Sequence, residues 1–437
     1  MHDLIFGIPA SYISLAIMGM VYAVLIAEKM NQAVIALVAS SLTIMVGLLD
    51  QEQAINAIDF DTLFLLIGMM VIVGIMKESG IFQYVAIISA KSVRASPRGL
   101  LIVMSVITGI FSAFLNNVTT VMLIVPIVLL LTEQLKLKPF PFLLAQILFS
   151  NIAGTGTLIG DPPNIMIGSA VGLDFMDFIY NMTPVVLIIM VALLAVFDFF
   201  WGRHMTTSMR ARAHLLRYDA SKAIKDKTLL FKSLTVLLLV LLGFVFWNVG
   251  TGTLALAGAA LLMFLDGFGR PMSEKNKKVL TAFHEVEWDT IFFFLGLFVV
   301  VAGLEHTGLL SLAAQKVIEM THGDMKETGI VILWASTFIS AFINNIPFVA
   351  TLIPIIQSMS DTFGQGDALN PLWWSLVMGA CLGGNGTLIG ASANVMVASF
   401  ADRAGSPISF MKYLAYGFPL TILTIAICHI YLIVRYF

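Results

Sequence analysis

GTGTLIGDPPNIMIG at 154–168 and GGNGTLIGASANVMV at 383–397 share the run GTLIG, and in each an asparagine follows four residues after its last glycine. Both lie inside apolar stretches, 141–176 and 371–400, that are too long and too rich in Gly and Pro to be plain crossings. In hydrocarbon every backbone N–H and C=O must find a partner, and irregular backbone is tolerated only where it is buried in protein or lines a watery cavity. Glycine allows the turns, and proline stops one half-helix and suits the first turn of the next. The reading is a pair of helices interrupted at depth, whose free ends aim N–H or C=O groups at a polar site.

The rest of the chain is consistent with a membrane setting. Of 437 residues, 59% are hydrophobic and 11% charged, where a soluble domain carries about 25% charged residues. A soluble enzyme is excluded, and a net charge of −2 leaves no electrostatic footprint for nucleic acid. Cys381 and Cys428 cannot build a disulfide framework or a Cys-rich metal site. The start, MHDLIFGIPASYISLAIMGM, lacks a basic n-region and reads as an uncleaved first span. Crossings are expected at 9–28, 32–49, 61–79, 141–176, 181–202, 230–248, 251–267, 288–306, 371–400 and 412–434. Two further apolar segments, 98–133 and 329–360, are broken by polar residues and read as re-entrant hairpins, too short for two crossings and a connection. The expected fold is an all-α polytopic membrane protein with ten transmembrane helices and two re-entrant hairpins. With both termini periplasmic, 21 of the 24 Lys and Arg fall on the cytoplasmic side, Lys29 and Arg270 among them; this is the distribution of an inner-membrane protein.

The chain also repeats itself. SAFLNNVTTVMLIVPI (112–127) and SAFINNIPFVATLIPI (340–355) are identical at 8 of 16 positions at an offset of 228, and the two GTLIG runs lie 230 apart. Residues 1–202 and 230–437 are therefore two repeats, joined by a basic cytoplasmic linker, 203–229. Five crossings per repeat invert the second relative to the first. Inverted repeats with interrupted helices mark secondary transporters, whose site lies where the repeats meet.

At that site the sequence offers amides and hydroxyls: Asn116, Asn117, Asn344 and Asn345 at the hairpin tips, with Thr119 beside the first. The breaks add Thr157, Asn164, Asn385, Thr387 and Asn394. Asparagine both donates and accepts, so it suits a hydroxylated solute or a cation, and equally the capping of a helix. Asp161, whose counterpart is Ala391, is the carboxylate placed at a break near the midplane. A charge there is functional by default, for a proton or cation, although an Asp before two prolines also reads as a cap. Asp61 and Asp289 read as caps, and Asp198 and Asp266 as solvated. Cys381 beside the second break admits a soft-metalloid contact, but the plainer reading is a small apolar residue. No cofactor or resident metal is called for. No HExxH, GxSxG or paired intramembrane Asp supports an intramembrane enzyme.

The Asn-bearing hairpins with a proline nine residues on (Asn117 to Pro126, Asn345 to Pro354), together with GTLIGDPPN, resemble the ion transporter superfamily over nearly the whole chain. Divalent-anion/sodium symporters of that superfamily carry Ser-Asn-Thr tips and a Thr-Pro-Pro-Asn break. Here the tips read Asn116-Asn117-Val118 and Asn344-Asn345-Ile346, and the break reads Asp161-Pro162-Pro163-Asn164. This is closer to the branch of arsenite efflux pumps, NhaD-type sodium/proton antiporters and the melanosomal P protein. The resemblance implies a scaffold and an elevator-like transport domain, homodimers through the scaffold, and a soluble arsenite-stimulated ATPase as a partner for the linker. The leading expectation is proton-coupled efflux of arsenite or antimonite, with the amides holding the neutral trihydroxy molecule and Asp161 exchanging the proton. The alternatives are sodium/proton antiport and sodium-coupled carboxylate transport.

Overall fold

The computed structural model describes residues 4, 5, 7–27, 30–247, 249–269 and 271–437. Lys29 and Arg270, counted in the charge distribution, lie outside them. The architecture is helical throughout, apart from a two-residue antiparallel pairing of Leu4–Ile5 with Ile8–Pro9. Seven described helices are long and apolar enough to cross a membrane, and the chain is a multi-pass membrane protein. Five apolar helices are shorter, among them Ala10–Leu25, Gln32–Met45 and Thr251–Gly267, in three of the expected crossings.

The repeat returns in the helices. Phe60–Glu78 and Trp288–His306 have 19 residues each, Ile81–Ser92 and Leu309–Met320 have 12, and Pro97–Phe114 and Met325–Phe342 have 18. The halves pack by exchange. Gly68 approaches the backbone of Ala255 so closely that a Cβ would lie 2.4 Å from its carbonyl carbon, and Gly296 meets Ala36 in the same way at 2.5 Å. Without a hydrophobic force between helices in lipid, such small-residue contacts hold them together.

Both interrupted helices are present. The first runs Phe140–Gly154 and Pro162–Val171, the second Asn370–Gly383 and Ser392–Arg403. Every residue of 141–154 and of 372–383 is buried, so these half-helices form the centre and are apolar all round for that reason. The first hairpin, 98–133, has two helical arms. Each arm, Pro97–Phe114 and Asn117–Gln134, has 18 residues, about 27 Å at 1.5 Å per residue, and the connection is Leu115–Asn116. A contact fixes the depth of its tip: Asn117 N–H donates to Gly160 O in the first break (3.2 Å).

Two acidic residues expected to be solvated are buried and paired. Asp198 accepts from Arg98 and Arg203, and Asp266 pairs with Lys278 at 2.7 Å. Burial makes an unpaired carboxylate costly, which explains both pairs. Asp61 does act as a cap, but for another helix: it accepts from Thr251 Oγ1 (2.9 Å) and Gly252 N–H (3.0 Å), while Asp59 caps its own helix.

The linker is tied down. Lys225 N–H donates to Ser79 O (2.9 Å), and the Ala223 carbonyl rests on Gly80, where a Cβ would meet it at 1.9 Å. Gly80 (φ +84°) and Gly308 (φ +75°) are repeat equivalents in the left-handed region, but Gly308 faces open space. Gly308→Ala is expected to cost only the left-handed strain, roughly 1–2 kcal/mol. Gly80→Ala also drives the linker off, so it should lower the melting temperature further in detergent and speed amide exchange at 220–226. Equal effects of the two substitutions would refute this account of the linker.

Candidate functional site

The polar residues of the breaks and tips converge on the two central half-helices. Asn151, on Phe140–Gly154, and Cys381, on Asn370–Gly383, are repeat equivalents. Asn151 Nδ2 reaches across to Asn385 Oδ1 (2.8 Å) and Asn394 Oδ1 (2.9 Å). Cys381 Sγ reaches the other way to Asn164 Oδ1 (3.3 Å). Asn117 Nδ2 donates to Asn151 Oδ1 (3.1 Å). All six residues are buried. Buried amide networks of this kind rigidify a centre and fix its register.

Within this network the expected ligands divide. Asn164 Nδ2 donates to Gly154 O (3.0 Å) and Thr157 O (2.7 Å), and Asn394 Nδ2 to Gly384 O (2.8 Å) and Thr387 O (2.9 Å). These asparagines satisfy the carbonyls that each break leaves open. The hydroxyls of Thr157 and Thr387 are likewise spent, donating to Ala113 O and Ala341 O at the ends of the hairpin helices. Asn116 and Asn344 cap the second hairpin arms, accepting from Val118 N–H (2.7 Å) and Ile346 N–H (3.2 Å). Uncommitted buried atoms remain at Asn385 Nδ2 and Thr120 Oγ1. Among the described residues no cluster of three His, Cys, Asp or Glu could hold a metal ion.

Asp161 stands apart. It occupies the N-cap position of Pro162–Val171, yet its side chain takes no helix N–H. Pro162 and Pro163 have no N–H to give, and the N–H of Asn164 donates to the backbone carbonyl of Asp161 (3.0 Å) rather than to its side chain. The capping role open to Asp161 on sequence is therefore not filled. The carboxylate is buried and accepts from Asn345 Nδ2 at 3.5 Å, with Cys381 and Asn117 beside it. Among the described residues no Lys or Arg side chain is buried. The second break is its chemical opposite. Ala391 has nearly the same backbone angles as Asp161 but no charge, and the following Ser392 and Ala393 keep their N–H groups. One half-helix thus starts with a carboxylate and two residues without N–H, and the other with two N–H groups and no carboxylate.

Two spaces approach the centre. A narrow cleft, with room for about 20 Å³, touches Asn116 and Thr119. A cavity of about 460 Å³ reaches Asn344 along one face of Ser392–Arg403, passing Ser392 and Ser399 to Arg403. Asn151 and Arg403 are the participants that sequence reasoning missed. Asn151 was signalled by three polar residues, Gln146, Ser150 and Asn151, inside the apolar run FPFLLAQILFSNIAG.

The citrate transporter family profile matches residues 22–379. The chain belongs to this family. An uncharacterized transporter of Mycobacterium tuberculosis is 37% identical over 434 residues, covering 98% of this chain and 99% of that protein. The human P protein is 30% identical over 509 residues, covering 97% of this chain and 60% of that protein. Among solved structures, the YdaH transporter of Alcanivorax borkumensis matches with a TM-score of 0.60 over 98% of this chain and 99% of that one, at 14% identity, which speaks for the fold alone. The resemblance to the ion transporter superfamily, P protein included, is borne out. Family and relatives are transporters, not enzymes, and the chain is a secondary transporter.

Proposed function

We propose that transport is coupled through Asp161, which carries a proton or a monovalent cation while the solute is held by the surrounding amides. The observation that carries this reading is the uncapped carboxylate: buried, followed by two prolines without N–H, and met by the side chains of Asn345, Asn117 and Cys381 in place of a helix N–H. A bare carboxylate in such a place is strongly unfavourable, so it holds a proton or a cation and releases it only when the site opens to water. The cross-repeat bonds of Asn151 and Cys381 support two inverted halves, with re-entrant hairpins that converge at the midplane and move as an elevator. The specific form we favour is proton-coupled efflux of arsenite or antimonite across a bacterial inner membrane. A centre of amides, hydroxyls and one thiol, without buried Lys or Arg among the described residues, suits a neutral trihydroxy solute.

A second reading, carboxylate transport, is favoured by Arg403. It lines the larger cavity and makes no ion pair among the described residues, and the family takes its description from citrate. Purified protein in liposomes with an internal pH dye separates these readings. Arsenite-dependent proton movement, with none elicited by sodium or citrate, is the expected result. Proton release elicited by sodium alone would replace it with sodium/proton antiport, and citrate uptake would replace it with the carboxylate reading.

A further inference from the structure

The linker does more than join the halves. Thr207 Oγ1 donates to Leu135 O (2.6 Å), Arg212 gives two hydrogen bonds to Arg94 O (3.1 and 2.9 Å), and Lys91 Nζ donates to Tyr218 O (2.8 Å). These bonds lash the linker helix Met209–Leu216 across the base of the first hairpin. Between that helix and the end of Asn117–Gln134 lies a surface groove of about 580 Å³, lined by Leu130, Glu133, Lys136, Ser208, Arg210 and His214. Lys136, Arg210 and His214 have no ion-pair partner among the described residues; nor does Glu133. Lys136 sits at φ +56°, in the left-handed position after a helix end where glycine is the usual choice, so a long cationic side chain stands where none is sterically favoured.

One end of the groove is apolar and continuous with the helix surface. Met122, Pro126 and Leu130 recur every four residues along Asn117–Gln134, and all three are exposed. This stripe runs directly into the basic cluster. We propose that the groove is a binding site for an anionic phospholipid: an acyl chain lies along Met122 and Leu130, and the phosphate is held by Lys136, Arg210 and the imidazole of His214. Clusters of basic residues next to a crossing attract anionic headgroups at about 1 kcal/mol per charge, and the stems of Lys136 and Arg210 can rest on apolar surface while their heads meet phosphate. The lipid would then brace the linker against the first hairpin.

The test is native mass spectrometry and thermal unfolding of the whole protein, titrated with phosphatidylglycerol, phosphatidylcholine or inorganic phosphate. Phosphatidylglycerol is expected to bind and stabilise selectively. The double variant K136Q/R210Q should weaken its binding roughly thirtyfold while keeping the wild-type melting temperature in phosphatidylcholine. K138Q/R217Q, of equal charge change away from the groove, should bind as wild type. The proposal is overturned if both double variants lose binding equally, which is diffuse charge, or if phosphatidylcholine binds as well. Inorganic phosphate matching phosphatidylglycerol overturns it too, as does a groove that ignores lipid and retains a soluble protein instead.

Discussion

Asp161→Asn is expected to yield a folded protein that no longer couples transport to the proton gradient. The substitution keeps the shape and leaves an amide oxygen to accept from Asn345 Nδ2, the hydrogen bond that the carboxylate makes now. It removes the ability to take up and release a proton. Melting in detergent should therefore stay near that of the wild type, while pH-driven flux in liposomes falls to the level of protein-free vesicles. Added carboxylates elsewhere should not rescue it. Ala391→Asp in the Asp161→Asn background places an acid at the equivalent position of the second break, but there Ala393, at the second helical position, keeps the N–H that Pro163 lacks, so a side-chain cap is open to it. A capped carboxylate stays ionised and does not shuttle protons. Retained pH-driven flux in Asp161→Asn would remove Asp161 from the coupling step altogether.

That asymmetry was only half legible in the sequence. The repeat, the two breaks and the convergence of Asn117 and Asn345 on one centre follow from spacing, because a seven-residue interruption with glycines and prolines has few other uses inside an apolar segment. The substitution of Ala391 for Asp161 was visible too. What spacing did not reveal was which amides remain free. Asn164, Asn394, Thr157 and Thr387 resemble ligands by type and depth, yet the two asparagines answer carbonyls of the breaks and the two threonines answer carbonyls at the ends of the hairpin helices, a demand set by backbone geometry rather than by residue identity. Asn151 escaped for the converse reason: its repeat equivalent is Cys381, so a search for like residues in the two halves does not find it. The ion pairs of Asp198 with Arg98 and of Asp266 with Lys278 were hidden because these partners lie on separate helices brought together only by folding; Arg203, five residues from Asp198, is local.

The breaks themselves are held by glycine, and Gly160→Ala is expected to cause a large loss of stability. A Cβ on Gly160 would lie 2.5 Å from Gly154 O, 2.6 Å from Gly154 Cα and 2.7 Å from Ser112 O. All three are backbone atoms, so no side chain can swing aside. The same residue accepts from Asn117 N–H, and any shift that makes room for the methyl pulls the hairpin tip off the break and opens the amide centre. Overpacking with side-chain relief costs about 1–3 kcal/mol; without relief the effect belongs at or above the top of that range. Gly390→Ala, with contacts of 2.6 Å to Gly384 O and 3.0 Å to Ala341 O, should be milder. Gly19→Ala, which meets nothing within 4 Å inside Ala10–Ala27, should be neutral or stabilising by up to about 1 kcal/mol. The series is read as melting temperature and as yield of monodisperse protein, in the order Gly19, Gly390, Gly160 from least to most damaged. If Gly160→Ala melted with Gly19→Ala and still transported, the tight crossing of the break would not be what holds the tip of the first hairpin against Asp161.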